Sequence, residues 1–156
     1  MSRFIAALLT IAVSASPAAA QAVWDARDLG GGGAEFRLGN GEGAAIILAC
    51  QLAGVSAGFE FPEPLEATGS ASVRAVPGER QNIAVAPVSD RVIRVTTGRG
   101  IEVLLRLLRT TANLYVRAGG ARANFEVFGS APLVTQCLER QDEAIPNPTR
   151  RFRSFR

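Results

Sequence analysis

Turn-forming residues cut this chain into short pieces, and that limits what it can fold into. Asn40-Gly41, Pro62-Glu63-Pro64, Pro77-Gly78, Pro87 and Gly119-Gly120 recur along its middle. Glycine admits positive φ and proline fixes φ, so each is a place for the backbone to reverse. Between them, apolar and polar residues alternate with the period of two that turns one side of a strand toward a core. Residues 34–38 place Phe36 and Leu38 on one face, and residues 44–52 do the same with Ile46, Leu48, Cys50 and Leu52. The Asn40-Gly41 turn joins these two runs as a hairpin. Four more short runs follow at 55–61, 71–76, 83–86 and 91–96. Their fairly even spacing points to an antiparallel sheet or a small sandwich.

The period then changes. Ile101, Leu104, Leu105, Leu108 and Ala112 share one helical face, with Glu102, Arg106 and Arg109 opposite. That pattern predicts an amphipathic helix, and Glu102 precedes Arg106 by four residues, the favourable order for a surface pair. Residues 114–118 and 122–128 read as a second hairpin about Gly119-Gly120, with Phe125 and Val127 facing inward. Ser130 is placed to N-cap a final helix, with Pro132 in its first turn and Val134, Cys137, Leu138 and Gln141 at helical spacing. The fold class expected is α+β: an antiparallel sheet or small sandwich with two packed helices, in one domain over 34–143.

Outside that domain, residues 1–20 read as a secretory signal peptide. Arg3 supplies the charge, residues 4–13 the short apolar run and Ala18-Ala19-Ala20 the small residues before cleavage. The mature chain is expected to begin at Gln21, or at Val23 in a second register. The apolar run is too short to span a bilayer, and no later segment is apolar for long enough. Gly30-Gly31-Gly32-Gly33 reads as a flexible joint within residues 21–33. Export also bears on the two cysteines, Cys50 and Cys137, which have one possible pairing and inward-facing positions. In an oxidising compartment a bridge between them is the expectation.

Composition excludes several chemistries. All 17 basic residues are arginine, with no lysine and no histidine. Ser-His and Cys-His pairs, Schiff-base lysines and a P-loop lysine are therefore ruled out. With the cysteines paired, only oxygen ligands remain for a metal, and no calcium-loop spacing of carboxylates occurs. No cofactor or metal site is expected, and the chain reads as non-enzymatic.

Two segments remain as candidate binding sites. Glu60, Glu63 and Glu66 lie in a proline-punctuated stretch that suits a rigid recognition loop better than a glycosidase pair. The last residues, 144–156, hold Arg150, Arg151, Phe152, Arg153, Phe155 and Arg156 without an acid. Residues 21–143 hold 12 arginines against 14 acids, so the excess positive charge belongs to this tail. Basic and aromatic residues together suit an anionic surface or an acidic partner. Ser130 after Gly129 lacks the flanking glycines and the histidine of a nucleophile elbow. Trp24 and Tyr115, each the single residue of its type, are read as buried aromatics with one satisfied polar group.

The run Ile46-Ile47-Leu48-Ala49-Cys50, the Leu-rich helix and Phe125-Glu126-Val127-Phe128-Gly129-Ser130 ahead of a helical Cys137 resemble a broad group of small two-cysteine periplasmic proteins. Some of these are similar to accessory proteins of type VI secretion systems. The resemblance spans roughly residues 44–140 and implies compartment and fold, with no catalytic residues to carry over. The function expected is an exported binding or envelope-accessory module in the periplasm or outside the cell. Its partner would be an envelope protein or the anionic envelope surface rather than a nucleic acid. The alternative is an inhibitor of a secreted hydrolase acting through the acidic loop.

Overall fold

A computed structural model describes residues 22–144. Nine strands and two helices follow in the order β1 (Asp25–Gly30), β2 (Gly33–Gly39), β3 (Ala45–Gln51), β4 (Gly54–Glu60), β5 (Ser70–Ala75), β6 (Arg80–Pro87), β7 (Val92–Val95), α1 (Gly98–Thr110), β8 (Asn113–Ala118), β9 (Ala121–Glu126) and α2 (Ala131–Ala144). All strand pairs are antiparallel, in one sheet ordered β1-β2-β3-β4-β7-β6-β5-β8-β9. The architecture is α+β, an antiparallel sheet with the two helices packed on it.

One face of the sheet carries the core. Directly opposed residues on neighbouring strands repeat the same burial: Phe36 with Leu48, Ile46 with Phe59, Phe59 with Ile93, Val85 with Val95, Ala71 with Ile83, Val73 with Val116 and Leu114 with Phe125, all of them buried. Onto this face α1 sets Leu104, Leu105, Leu107 and Leu108, and α2 sets Val134 and Cys137. The first helix lies against β4, β5 and β6, and the second against β3 and β4. A disulfide joins Cys50 of β3 to Cys137 of α2, with Cα atoms 5.3 Å apart and both residues without solvent exposure. That separation is ordinary for such bridges, which persist in oxidising, non-cytoplasmic compartments.

The strand order reverses in the middle. After β4 the chain crosses to β5, three places away, and returns through β6 and β7 to lie beside β4 again, a Greek-key arrangement. The proline-rich stretch after Phe61 is that crossing. Strand β6 joins the two halves, because Arg80–Ala84 pair with β5 while Val85–Pro87 pair with β7. The ends of the order then approach each other. Ala22 N–H, just before β1, donates to Phe128 O beyond β9 at 2.8 Å, and the Trp24 indole N–H donates to Ser130 Oγ at 2.9 Å.

Several expectations are corrected here. The four glycines are not a flexible joint: they are the turn of the β1–β2 hairpin, so the domain extends back to Asp25. Gly30, Gly31 and Gly32 adopt φ of 75°, 59° and 80°, a run that side-chain-bearing residues strongly disfavour. Asp28 Oδ1 fastens its start by accepting from Gly30 N–H at 2.8 Å. Strand β3 ends at Gln51, which leaves Leu52 52% exposed in the next turn instead of in the core. Helix α1 starts three residues earlier than its apolar period, because Thr97 caps it by accepting from Gly100 N–H. Arg106 does not pair with Glu102 but donates to Gln81 Oε1 on β6 at 2.9 Å. Ser130 does stand just before α2, and its carbonyl accepts from Val134 N–H. Its buried hydroxyl, however, serves Trp24 rather than the helix end.

Candidate functional site

The tail residues Arg150, Arg151, Phe152, Arg153, Phe155 and Arg156 lie outside the described residues, as do residues 1–20, where a signal peptide is expected. The acidic residues lie within them and do not form one site. Glu60 ends β4 on the outward face, where Arg37 of β2 reaches across β3 and donates a hydrogen bond to its carboxylate. That bond holds the Glu60 carboxyl below its ordinary value against an opposing push from desolvation, and Glu60 in turn raises Arg37. Glu63 and Glu66 are exposed. Their loop is fastened at three places: Phe61 N–H to Arg91 O at 2.9 Å, Leu65 N–H to Asp90 O at 2.7 Å and Glu66 N–H to Gly119 O at 3.1 Å. It therefore follows the sheet rather than standing away from it. Among the described residues no three of Asp, Glu, His or Cys gather to hold a metal ion.

Charge collects elsewhere, on the outward face of β6, β5, β8 and β9. Strand pairing aligns two rows of directly opposed residues there. One row runs Asn82, Ser72, Arg117, Arg122, and the other Arg80, Arg74, Tyr115, Asn124. Four of these eight positions are arginine, and none is an acid. Neighbouring strands lie about 4.8 Å apart and alternate residues about 6.8 Å along a strand, so the array measures roughly 14 by 7 Å between backbones.

Its internal electrostatics are unfavourable. Arg74 stands opposite Arg80, and Arg117 opposite Arg122, in positions where like charges are destabilising. Among the described residues the ion pairs are Arg27–Glu35 and Arg37–Glu60, both on the far half of the sheet. Glu126, opposite Asn113, and Glu66, beside Gly120, border the array without entering an ion pair. Arg74 is held in place by the one aromatic ring of the array. Its guanidinium carbon sits 5.0 Å from the Tyr115 ring centre, and its buried Nε has no hydrogen-bond partner. Such a stack contributes about 0.5–1 kcal/mol at a partly exposed site. What this surface can do chemically is bind anions: guanidinium groups present forked donors to phosphate or carboxylate oxygens.

Beside the array a cleft of about 560 Å³ opens where the ends of the sheet meet, lined in part by Asn40, Glu42, Asn113, Asn124 and Glu126 above the Phe125 ring. Asn124 belongs to both features. The Asn40 side-chain oxygen Oδ1 is already occupied, accepting from the Glu42 and Ala44 N–H groups in the β2–β3 turn.

Sequence reading missed the arginine array because its members are scattered from Arg74 to Arg122. Part of it was within reach: counting outward from the Gly119-Gly120 turn sets Ala118 against Ala121 and then Arg117 against Arg122. No family model, characterised protein or solved structure matches this chain.

Proposed function

We propose that this protein is an exported, non-enzymatic binding module of the cell envelope, working in the periplasm or outside the cell, and that the arginine face is its contact surface. The observation that carries the reading is the pair of opposed arginine couples, Arg74 with Arg80 and Arg117 with Arg122, without an ion-pair partner among the described residues. A fold gains nothing from such repulsion, whereas a bound anion relieves it. The export signal, the disulfide, the absence of histidine and lysine, and the resemblance to small periplasmic accessory proteins all support the same reading. The test is retention of the mature chain on envelope fractions, compared with the Arg117→Gln/Arg122→Gln variant. Both side chains are exposed on strands, so the variant folds. Wild-type retention that falls at high salt and drops in the variant supports the proposal, and equal retention of the two proteins refutes it.

A second reading, an inhibitor of a secreted hydrolase, is favoured by one observation. The three backbone bonds that fasten the 61–66 loop hold Glu63 on a rigid support, and rigid loops lose little entropy on binding. Glu60 takes no part, since Arg37 already occupies it. Loss of inhibition of a periplasmic hydrolase on Glu63→Gln would carry this reading, and no inhibition by the wild type would end it.

A further inference from the structure

The occupant of the arginine face follows from its shape and its margin. Resting on the reading of that face as a contact surface, we infer that it docks on an anionic lipid surface, with lipid phosphates accepting hydrogen bonds from Arg74, Arg80, Arg117 and Arg122. The array is a run of outward positions on four adjacent strands. None of its arginines lines the clefts that open beside β9, beside the start of α1 or between α1 and α2, and the outward positions of adjacent strands suit a broad surface better than a groove that grips a small molecule or a peptide. Between the arginines stand the short side chains of Ser72, Asn82 and Asn124, and Arg80, Arg117 and Arg122 are exposed while Arg74 lies half-buried over Tyr115. Lipid headgroups diffuse laterally and can collect at each opposed arginine couple, which a rigid partner does only if its own acids match the spacing.

The margin of the face agrees. Val76 continues the outward positions of β5, its N–H donating to Asn113 O across the ladder at 3.0 Å, and it is 42% exposed. Phe128, two residues beyond Glu126 at the end of β9, is 51% exposed, and Val23, next to the Ala22 bond that ties the chain to Phe128, is 78% exposed. Exposed apolar side chains along one border of a cationic face, with a tyrosine within it, match what binds at a headgroup boundary. Glu126 and Glu42 lie on that border too, which leaves the two arginine rows as the part that meets anionic headgroups.

The test is co-sedimentation of the mature full-length chain with vesicles of mixed phosphatidylglycerol and phosphatidylcholine, with phosphatidylcholine alone, and with polyglutamate on beads. Each arginine near an anionic surface contributes about 1 kcal/mol, or about fivefold in partitioning. Arg117→Gln/Arg122→Gln should therefore bind the mixed vesicles about 25-fold less than wild type. Arg99→Gln/Arg109→Gln, which removes the same charge from α1, should bind nearly as wild type does. Thermal melts of both variants confirm that folding is intact. Equal losses in the two variants would mean that total charge and not this face is read, and would overturn the inference. Polyglutamate binding that depends on Arg117 and Arg122, without binding to mixed vesicles, would replace the lipid with an acidic protein and leave the contact surface standing. If Arg117→Gln/Arg122→Gln changes neither, both the lipid assignment and the contact surface fail.

Discussion

Reducing the disulfide isolates one large contribution to stability. The bridge spans a sequence separation of 87, and on the chain-entropy model closing a loop of that length removes entropy from the unfolded chain and so stabilises the fold by about 4.6 kcal/mol. Typical domains have only about 5–15 kcal/mol in all, so the reduced protein should remain folded with a much smaller margin. Reduction keeps both side chains in place, so the comparison avoids the cavity that a truncation to alanine would leave. Urea denaturation of oxidised and reduced protein is the assay. The midpoint should fall, with a loss of about 4 kcal/mol, and the slope should rise because the unbridged chain unfolds to a more open state. For a domain of this size the thermal midpoint should drop by about 15 °C. Damage should begin at α2, whose described core side chains are Val134 and Cys137, so that limited proteolysis of the reduced protein cuts there first. Because neither cysteine is exposed, alkylation of the oxidised protein should require denaturant and reductant together. A loss below about 1 kcal/mol would refute the entropic reasoning, and two free thiols in denatured, unreduced protein would refute the bridge.

Two further outcomes test particular contacts. Arg37 lowers the Glu60 carboxyl, so the pair's contribution is complete above the ordinary glutamate range and is lost as pH falls through the lower folded value. Their side chains are 42% and 31% exposed, which limits the contribution to about 0.5–1 kcal/mol. Glu60→Gln should therefore melt lower than wild type at neutral pH and match it well below about pH 4, and an unchanged gap in acid would refute the pairing. Gly119 has φ +48° and its missing Cβ would lie 2.4 Å from Glu66 O, whereas Gly41 has φ +78° with nothing within 4 Å. Gly41→Ala should cost about 1 kcal/mol in urea denaturation and Gly119→Ala at least twice that. Equal costs would show that the 61–66 loop yields without penalty.

What the sequence made legible was local. Both expected hairpins, the amphipathic α1 and the inward positions of both cysteines came from alternation and turn chemistry, which act over a few residues. Strand β1 escaped because it is an edge: its residues Asp25, Ala26, Arg27 and Asp28 are all exposed, so there was no apolar side to alternate. The four glycines then looked like a spacer, since nothing before them announced a strand for the turn to join. Strand order escaped for another reason. Placing β5 three positions from β4 depends on which faces bury most together, and the Pro-rich crossing that achieves it carries no periodic signal of its own. That crossing is fixed instead by backbone bonds to Arg91, Asp90 and Gly119, partners that lie far along the chain and that local pattern does not announce.

The arginine face illustrates how the same limit falls hardest on function. Each of its strands contributes an ordinary solvated pattern, Ser72 and Arg74 or Tyr115 and Arg117, and in isolation a strand with one polar side needs no ligand to explain it. The anomaly exists only between strands. Arg80 becomes costly when β6 sets it against Arg74, and Arg117 when the Gly119-Gly120 turn sets it against Arg122. A residue count cannot register this, because the domain's 12 arginines are outnumbered by its 14 acids over residues 21–143, and the excess charge of the tail draws attention away from it. Pairing separates those charges again. Acids on β2 and β4 neutralise Arg27 and Arg37 on one half of the sheet, and the other half is left with arginines alone in its two central rows. A mildly acidic domain thus presents a cationic face, and the tail's arginines would add to whatever attraction that face exerts on an anionic surface.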